Sequence, residues 1–411
     1  MDRRAFLLTP AAAALAQTPS GPRRRIAAIL TEYRKLSHAD VIVGKYLEGY
    51  NHDDQPPYPA SKIVSIFTEQ TPANDMSRER ARRYGVPVFR TVRDALTLGS
   101  DRIAVDGILL IGEHGEYPVN DKGQKLYPRY EMFLKITDVF RDTGQTVPVF
   151  NDKHLSFNWY QAKRMVAISR ELGFPLMAGS SVPVAFRVPA IDTPYGEPQK
   201  HAVVISFGGF EAYGYHGLEA MQALVERRRG GETGVQAVQC LEDDACWRFL
   251  DGNGWARRLF DRALTHSESR KPGEIRQLVK RPAVFIVHYN DGLTGAVFQM
   301  PGLVEEWLAA VDVEGRAEPV SVLLKLQRFG QRHHFGCLIK NIEKMFANGE
   351  PPYPVERTML TAGILDLALD SRLAGHRRVE TPELAGVRYR TPDASHFCTQ
   401  GWDAAGKRLD M

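Results

Sequence analysis

The sequence predicts an α/β protein of two domains: a doubly wound parallel sheet, then an α+β domain with an open-faced, largely antiparallel sheet. Short apolar segments alternate six times with helical segments over residues 25–188, which is typical of a doubly wound sheet. From residue 189 onward, strand segments follow one another with few helices between them, which indicates antiparallel pairing. A length of 411 residues also favours two domains over one.

The elements of the first domain follow from apolar segments bounded by turn residues. Ser37 is a suitable N-cap for the first helix, and Gly85 a suitable C-cap for the second. The predicted strands are residues 25–30, 62–67, 86–89, 105–111, 147–150 and 175–178. The predicted helices are residues 37–50, 75–84, 92–98, 129–142 and 157–172.

The second domain is predicted to comprise residues 189–411, with strands at 201–207, 234–239, 283–288 and 320–326 among others. A long last helix, at about residues 355–374, is expected to pack back on one of the two domains.

The N-terminus resembles an export signal. Arg3 and Arg4 precede a short, weakly apolar stretch that ends in a small-residue site around Ala16, and residues 1–24 are therefore predicted to be a twin-arginine signal peptide and linker. The apolar stretch is shorter than the roughly 20 residues that span a bilayer. We expect an exported protein, periplasmic or extracellular, without membrane insertion; the alternative is an amphipathic tail of a cytoplasmic protein.

Composition excludes several classes of partner. A net charge of +4 is small for this length, and the one dense basic cluster, Arg227 to Arg229, is typical of a helix end rather than of a nucleic-acid-binding stripe. The four cysteines do not form a dense disulfide framework. A disulfide between Cys240 and Cys246 is left open, although buried thiols are favoured.

Polar side chains follow nearly every strand of the first domain. In a doubly wound sheet, ligands bind at the carboxyl ends of the strands, so these residues are expected to share one edge. They include groups that bind metals or move protons: Glu32 and Tyr33 after the first strand, Glu69 after the second, Glu113 and His114 after the fourth, Asp152, Lys153 and His154 after the fifth, and Ser180 after the sixth.

The turn after the first strand lacks the glycines that a dinucleotide requires. A tight glycine turn lets backbone N–H groups and the helix N-terminus approach the pyrophosphate. Residues 30–37 contain no glycine, and Glu32 would place a negative charge beside the phosphates. The residues themselves therefore indicate that a nucleotide is bound weakly, differently or not at all.

Several motifs resemble the Gfo/Idh/MocA family, the relatives of glucose–fructose oxidoreductase and inositol dehydrogenase. The resemblance covers nearly the whole mature chain in order of elements, and is carried by residues 81–89 (ARRYGVPVF), 92–96 (VRDAL), 105–108 (VDGI) and 353–357 (YPVER). Asp152-Lys153-His154 stands where the family has Glu-Lys-Pro. His216 matches the family histidine, while Ala212 stands where the family has aspartate.

This resemblance implies a Rossmann-type first domain, sugars or polyols as substrates, NAD(P) as the usual cofactor and homo-oligomers formed through the second sheet. It implies that Lys153 holds or deprotonates a substrate hydroxyl and that His216 is a general acid/base, chemistry that both side chains can perform. Asp152, beside Lys153, is the third predicted catalytic residue. The predicted substrate or cofactor cleft comprises Glu32, Tyr33, Glu69, Arg187, Ser180 and Glu211.

A metal site is a second hypothesis for the same edge. Glu113, His114, Asp152 and His154 could form a mixed nitrogen and oxygen site suited to zinc, manganese or iron. Alternatively, these groups hydrogen-bond one another and a sugar. His288, His333 and His334 are expected to be core or surface residues.

Three functions therefore stay open. The first is an exported sugar- or polyol-acting enzyme with Lys153 and His216 as proton-transfer groups, in which any NAD(P) is held through side chains. The second is a metal-dependent lyase, hydrolase or epimerase without a dinucleotide. The third is a sugar-binding protein without catalysis.

Overall fold

The first sheet is parallel and six-stranded, as predicted. A computed structural model describes residues 22–327 and 332–399. Strands β1 to β6 lie in the order β3-β2-β1-β4-β5-β6, so the strand order reverses between β1 and β4. Their bounds are β1 Arg25–Leu30, β2 Lys62–Thr68, β3 Val88–Phe89, β4 Gly107–Ile111, β5 Val149–Asp152 and β6 Leu176–Gly179.

The helices of this domain lie close to their predicted positions, because their caps are local. Ser37 accepts a hydrogen bond from the Asp40 N–H at the start of α1, and Gly85 ends α2 in the left-handed conformation. The bounds are α1 His38–Glu48, α2 Ser77–Tyr84, α3 Val92–Thr97, α4 Arg129–Thr143 and α5 Trp159–Leu172.

The second sheet has eight strands and is mostly antiparallel, again as predicted; the one parallel pair is β8 with β11. Its order is β14-β9-β10-β11-β8-β12-β13-β7. The bounds are β7 Phe186–Val188, β8 Gln199–Ser206, β9 Val235–Glu242, β10 Ala283–Tyr289, β11 Thr294–Gln299, β12 Trp307–Val313, β13 Val320–Lys325 and β14 Val379–Glu380. The sheet thus begins with β7, just before the predicted boundary at residue 189.

The helices of the second half are more numerous than the sequence analysis expected. Their bounds are α6 Ala212–Val225, α7 Asp243–Gly252, α8 Gly254–Leu264, α9 Ile275–Leu278, α10 His333–Asn348, α11 Glu356–Leu373 and α12 Pro382–Ala385. Among the described residues, no helix is both long and apolar enough to cross a membrane.

Helices lie on both faces of this sheet, which was predicted to be open-faced. Helices α7 and α8 follow β9 and lie on one face, where Leu259 and Phe260 of α8 belong to one apolar cluster with Val203 and Phe298 of the sheet. The opposite face packs against α6 and α11.

Two C-terminal helices return to the first domain. Helix α10 packs against α1 and completes the apolar layer on one face of the parallel sheet. Helix α11 contacts α5, α6 and β9, as the prediction for a returning last helix requires. Thr358 Oγ1 of α11 lies 3.1 Å from the Ala178 carbonyl oxygen, and Asp366 accepts the Trp159 N–H at 3.0 Å. The parallel strands are thus buried on both faces, which explains their uninterrupted apolar sequences.

Candidate active site

The predicted lysine lies at the centre of a buried ionic cluster at the carboxyl edge of the parallel sheet. Lys153 directly follows β5 and is 3% exposed. Its backbone has φ +60°, in the left-handed region that non-glycine residues rarely occupy, and its N–H donates to the Gly179 carbonyl at 3.1 Å. Such strain is characteristic of functional sites, and here it directs the ammonium group towards Glu113, 3.0 Å away.

Glu113 is a buried carboxylate between two cations. Lys153 donates to Oε1, and the guanidinium of the fully buried Arg129 donates to Oε2. Burial alone would raise the pKa of Glu113, but the charges of Lys153 and Arg129 outweigh it and hold this pKa well below its usual value. Glu113 therefore stays ionised and fixes the position of the Lys153 ammonium.

A second pair adjoins this cluster. His154 Nε2 lies 3.0 Å from Glu211 Oε1 and 3.3 Å from Arg129. Burial, followed by the charge of Arg129, lowers the pKa of His154, although Glu211 opposes the shift. The site thus includes Glu211, a predicted cleft residue, although it comes from the segment before α6 rather than from the parallel sheet.

The predicted general acid/base, His216, reaches the same site from α6. Its Nδ1 lies 2.6 Å from Ser180 Oγ, which also accepts the Val182 N–H at 3.0 Å. Burial, together with the nearby charges of Lys153 and His38, lowers the pKa of His216 well below its usual value. His216 is therefore neutral at pH 7.

Glu219 fixes the position of Ser180, the residue that contacts His216. It accepts hydrogen bonds from the Ser180 N–H at 2.6 Å and from Thr358 at 2.7 Å. Burial raises the pKa of Glu219 to about 7, against the lowering effect of these bonds. The carboxyl group holds the backbone of Ser180 and hence the hydroxyl that contacts His216.

The predicted Asp152 pairs with a residue that the sequence analysis did not single out. His38, the first residue of α1, places Nδ1 at 2.6 Å from Asp152 Oδ2. Its ring packs edge-on against Phe335 of α10, with centroids 5.2 Å apart, and lies 5.3 Å from the ring of His114. Asp152 and Lys153 therefore hold two different partners, although they are neighbours in sequence.

The α1 N-terminus does not fit a dinucleotide diphosphate. A diphosphate would need the free N–H groups of this helix end. Here the Leu36 N–H donates to the Asp40 carboxylate at 2.8 Å, the Asp40 N–H donates to Ser37, and the His38 N–H faces His114 Nδ1 at 3.5 Å. These donors are already used by side chains of the same chain, in agreement with the missing glycine turn.

A cavity of about 490 Å³ opens next to His216. Phe207, Tyr213 and Trp307 line it and form what we call the aromatic wall. The centre of the His216 ring lies 5.6 Å from that of Trp307 and 6.3 Å from that of Tyr213. The other lining residues are mostly charged or polar: Glu268, Ser269, Glu305, Glu306, Lys325, Arg332 and His334, with Leu323 and Leu326.

Three predicted cleft residues lie elsewhere. Tyr33 is fully buried in the core between β1 and α1, where its ring packs rather than faces a ligand. Arg187 is 3% exposed and bonds Asp192 at 2.5 Å, in an ion-pair network beneath the C-terminal segment. Glu69 bonds the Tyr117 hydroxyl at 2.7 Å at the end of β2. Tyr33 and Arg187, predicted to line the cleft, are thus both buried in the protein interior.

The remaining predicted residues outside the cluster lie in front of α1. Glu32 is paired with Arg34 at 2.5 Å, and both line a hollow of about 280 Å³ together with His114. The buried Glu32 carboxylate thus remains beside the position that phosphates would occupy, as the sequence indicated.

The predicted metal site gains no support. Each of its four members has a partner outside the set: Glu113 binds two cations, His114 faces the His38 N–H, Asp152 binds His38, and His154 binds Glu211. Within the part of the chain that the structure describes, no group of three or more His, Cys, Asp or Glu side chains is arranged to hold a metal ion.

Cys240 and Cys246 are both buried free thiols, as favoured above. Burial raises the pKa of Cys240 to about 12. These thiols are therefore protonated at pH 7 and are structural.

Sequence reasoning missed His38, Arg129 and His334. His38 follows the N-cap of α1, at the same sheet edge as Glu32. A search of the residues after each strand would have included His38 if it had extended to the first residue of the next helix. Arg129 offers no such signal, because a buried arginine at a helix start resembles a surface one. His334 was expected in the core or on the surface, and instead lines the cavity.

The position of His114 predicts a pH dependence of stability. Burial, with the charge of His38 next, lowers the pKa of His114 to about 4 from an ordinary 6.5. Between these values the unfolded chain binds more protons, so stability is expected to fall as the pH decreases from 6.5 to 4. Urea-unfolding midpoints across this window should decrease less steeply for His114→Asn, and an identical slope would contradict the assignment.

Comparison with known proteins gives similarity at the level of fold. No protein-family profile matches the sequence, and no curated protein is significantly similar to it. Myo-inositol 2-dehydrogenase from Lactobacillus plantarum is 12% identical, with 87% of this chain and 99% of that chain covered and a TM-score of 0.53. GenD2 from gentamicin A biosynthesis, solved in complex with NAD, is 12% identical, with 91% and 99% covered and a TM-score of 0.55.

A third similar structure is an oxidoreductase from Agrobacterium radiobacter, solved with NAD+, L-tartaric acid and magnesium. It is 13% identical, with 87% of this chain and 98% of that chain covered and a TM-score of 0.53. These similarities agree with the sequence motifs and with the two-sheet architecture described above. The chain therefore has the two-domain fold of the myo-inositol dehydrogenases and related oxidoreductases, the Gfo/Idh/MocA fold.

Proposed function

We propose that this protein is an exported enzyme that acts on a sugar or polyol by proton transfer, with Lys153 and His216 as the groups that touch the substrate. The observation that carries the proposal is the proximity of a buried, fixed lysine to a neutral histidine whose ring adjoins the aromatic wall. Aromatic rings bind the apolar C–H face of a sugar, while nearby polar groups orient its hydroxyls.

The two proton-transfer groups have complementary roles. Glu113 and Arg129 hold Lys153 in place, so its ammonium group can donate a hydrogen bond to a substrate oxygen and stabilise negative charge there. Neutral His216, oriented by Ser180, can take a proton from a substrate hydroxyl. No step requires the side chains of the ionic cluster to rearrange.

A dinucleotide is not assigned a step in this proposal. Structures of similar fold contain NAD. In this chain, however, the N–H groups of α1 that would hold its diphosphate are engaged by Asp40, Ser37 and His114. Any nucleotide would have to be held by side chains instead.

Export belongs to the proposal as well. The arginine pair and the small-residue site that predict it lie in residues 1–21, outside the described part of the chain. Fusion of residues 1–24 to a reporter that is active only after export tests it, with Arg3 and Arg4 replaced by lysine as the control that should stay inside the cell.

Binding and turnover can be tested separately. The purified mature protein is mixed with a panel of sugars and polyols, and saturation-transfer NMR measures binding while one-dimensional NMR follows conversion, with and without added NAD(P). At least one member is expected to bind and react. Binding without conversion of any member would favour a sugar-binding protein, and the absence of binding would refute the proposal.

The aromatic wall supplies a matched pair of variants for the binding measurement. Tyr213 is 38% exposed, so Tyr213→Ala should leave the fold intact while weakening sugar binding about 5-fold, since stacking on an aromatic ring contributes roughly 1 kcal/mol. Tyr160, 70% exposed on α5, provides the control: Tyr160→Ala should bind as the wild type does. Equal binding by both variants would remove the wall from the site.

A further inference from the structure

His38 and Asp152 form a carboxylate–imidazole pair that the proposed roles of Lys153 and His216 do not use. The Nδ1 to Oδ2 distance is 2.6 Å, and Asp152 is 1% exposed. A buried carboxylate at Nδ1 fixes the tautomer of an imidazole and stabilises its protonated form. Nε2 of His38 has no hydrogen-bond partner among the described residues, and the side chain is 17% exposed.

The pair adjoins the ionic cluster. Asp152 directly precedes Lys153 in the chain, and the ring of His38 lies 5.3 Å from that of His114, the residue after Glu113. His334 lines the 490 Å³ cavity, and Phe335, next to it, packs on the ring of His38. His38 thus contacts Phe335, the neighbour of a cavity-lining residue, while its partner Asp152 adjoins Lys153 in the chain.

The position is also the place where the diphosphate of a dinucleotide would meet α1. The chain uses the donors of this helix end for its own side chains, and its first helical residue is an imidazole held by a carboxylate. The imidazole of His38 therefore occupies the position at which the diphosphate of a hydride-carrying dinucleotide would otherwise be bound.

We propose that His38, oriented by Asp152, is a third catalytic residue, a general base that makes the reaction a redox-neutral proton transfer at carbon. This inference rests on the proposed function and narrows its substrates to sugars that carry a carbonyl group, in which the adjacent C–H is acidic.

The step balances without any oxidant or reductant. The unprotonated Nε2 of His38 takes the proton of the C–H next to the carbonyl. The electron pair of that bond forms the carbon–carbon double bond of an enolate, and the π pair of the carbonyl moves to its oxygen, where the Lys153 ammonium stabilises the anion. Return of a proton from the His38 imidazolium to the same face regenerates the substrate, whereas a proton from water on the other face gives its epimer and the imidazolium then releases its proton to solvent.

Deuterium exchange tests this step directly. The purified protein, without added nucleotide, is incubated in D₂O with a panel of aldoses and ketoses (glucose, galactose, mannose, fructose and sorbose), and proton NMR follows loss of the C–H signal next to the carbonyl. The wild type is expected to exchange at least one member. His38→Gln should slow exchange at least ~100-fold, the usual loss for a positioned general base.

Two further variants keep the test decisive. Asp152→Asn retains His38 and the side-chain volume but removes the carboxylate, and should also slow exchange at least ~100-fold, because the imidazolium loses its stabilising charge. His266→Gln, in the second domain after α8, is the matched control and should exchange as the wild type does. Thermal unfolding of each variant identifies one that is merely unfolded, and the decision then rests on the other.

Each outcome decides between the two proposals. Exchange by the wild type that both variants lose supports the role of His38. Sugar binding without exchange, exchange that survives His38→Gln, or exchange that requires added NAD(P) overturns that role and leaves the proposed function standing. The absence of sugar binding by the wild type overturns the proposed function, and the role of His38 with it.

Discussion

Replacement of Lys153 by methionine is expected to reduce turnover of the substrate by about 10²- to 10⁴-fold, the contribution of a positioned group that moves or holds a proton. Methionine retains most of the length of the side chain and removes the charge. Glu113 keeps its ion pair with the buried Arg129, so the carboxylate is not left without a partner and the fold should persist. The measurement is the rate of substrate conversion by NMR under saturating substrate, together with KM.

The control for this variant is Lys163→Met, an exposed lysine on α5. It changes the same charge without touching the site and should leave kcat and KM unchanged. If Lys153→Met converts substrate as fast as Lys163→Met does, Lys153 has no part in the reaction, and the residue would be a structural partner of Glu113 alone.

Replacement of Arg357 by methionine is expected to destabilise the protein by about 3–5 kcal/mol, the cost of leaving a buried charge without its partner. Arg357 donates to both carboxylate oxygens of Glu226, and the two residues are 4% and 1% exposed. The guanidinium also lies 4.2 Å from the centre of the Tyr353 ring. Denaturant unfolding of both proteins at neutral pH gives the difference in free energy.

An exposed ion pair between α5 and α11 supplies the comparison. Arg170 binds Glu356 at the surface, and its side chain is 65% exposed. Arg170→Met should therefore change stability by less than about 1 kcal/mol, as surface pairs do. A loss for Arg357→Met that is no larger than this would show that water reaches Glu226.

Much of the first domain can be predicted from local sequence. The strands are apolar because both faces are covered, and Ser37 and Gly85 mark helix ends through bonds to their own neighbours. The second domain was harder to predict. Helix α8, which packs on its sheet, carries Arg257 and Arg258 among its apolar positions, so its sequence resembles that of a surface segment. Its role becomes clear only when the sheet face it buries is known.

The candidate site shows the same division between local and distant information. Lys153, Asp152 and Glu113 follow strands of one sheet, so sequence alone could place them on a shared edge. The partners of these residues come in part from α1 and α4, which are distant in the chain. The spacing of residues in the sequence also does not show in which direction a side chain at a strand end points. Lys153 could thus be predicted as a site residue, but the sequence could not show that Lys153 and Asp152 bind different partners.

Helix α11 ties both halves of the molecule together, with consequences for how the cleft can move. Its residues bond the end of β6 through Thr358 and the start of α5 through Asp366, while the same helix packs on β9 of the second sheet. A hinge motion that swung one sheet away from the other would have to break the folded contacts of this helix. The contacts of α11 therefore couple the relative position of the two sheets to the folding of this one helix.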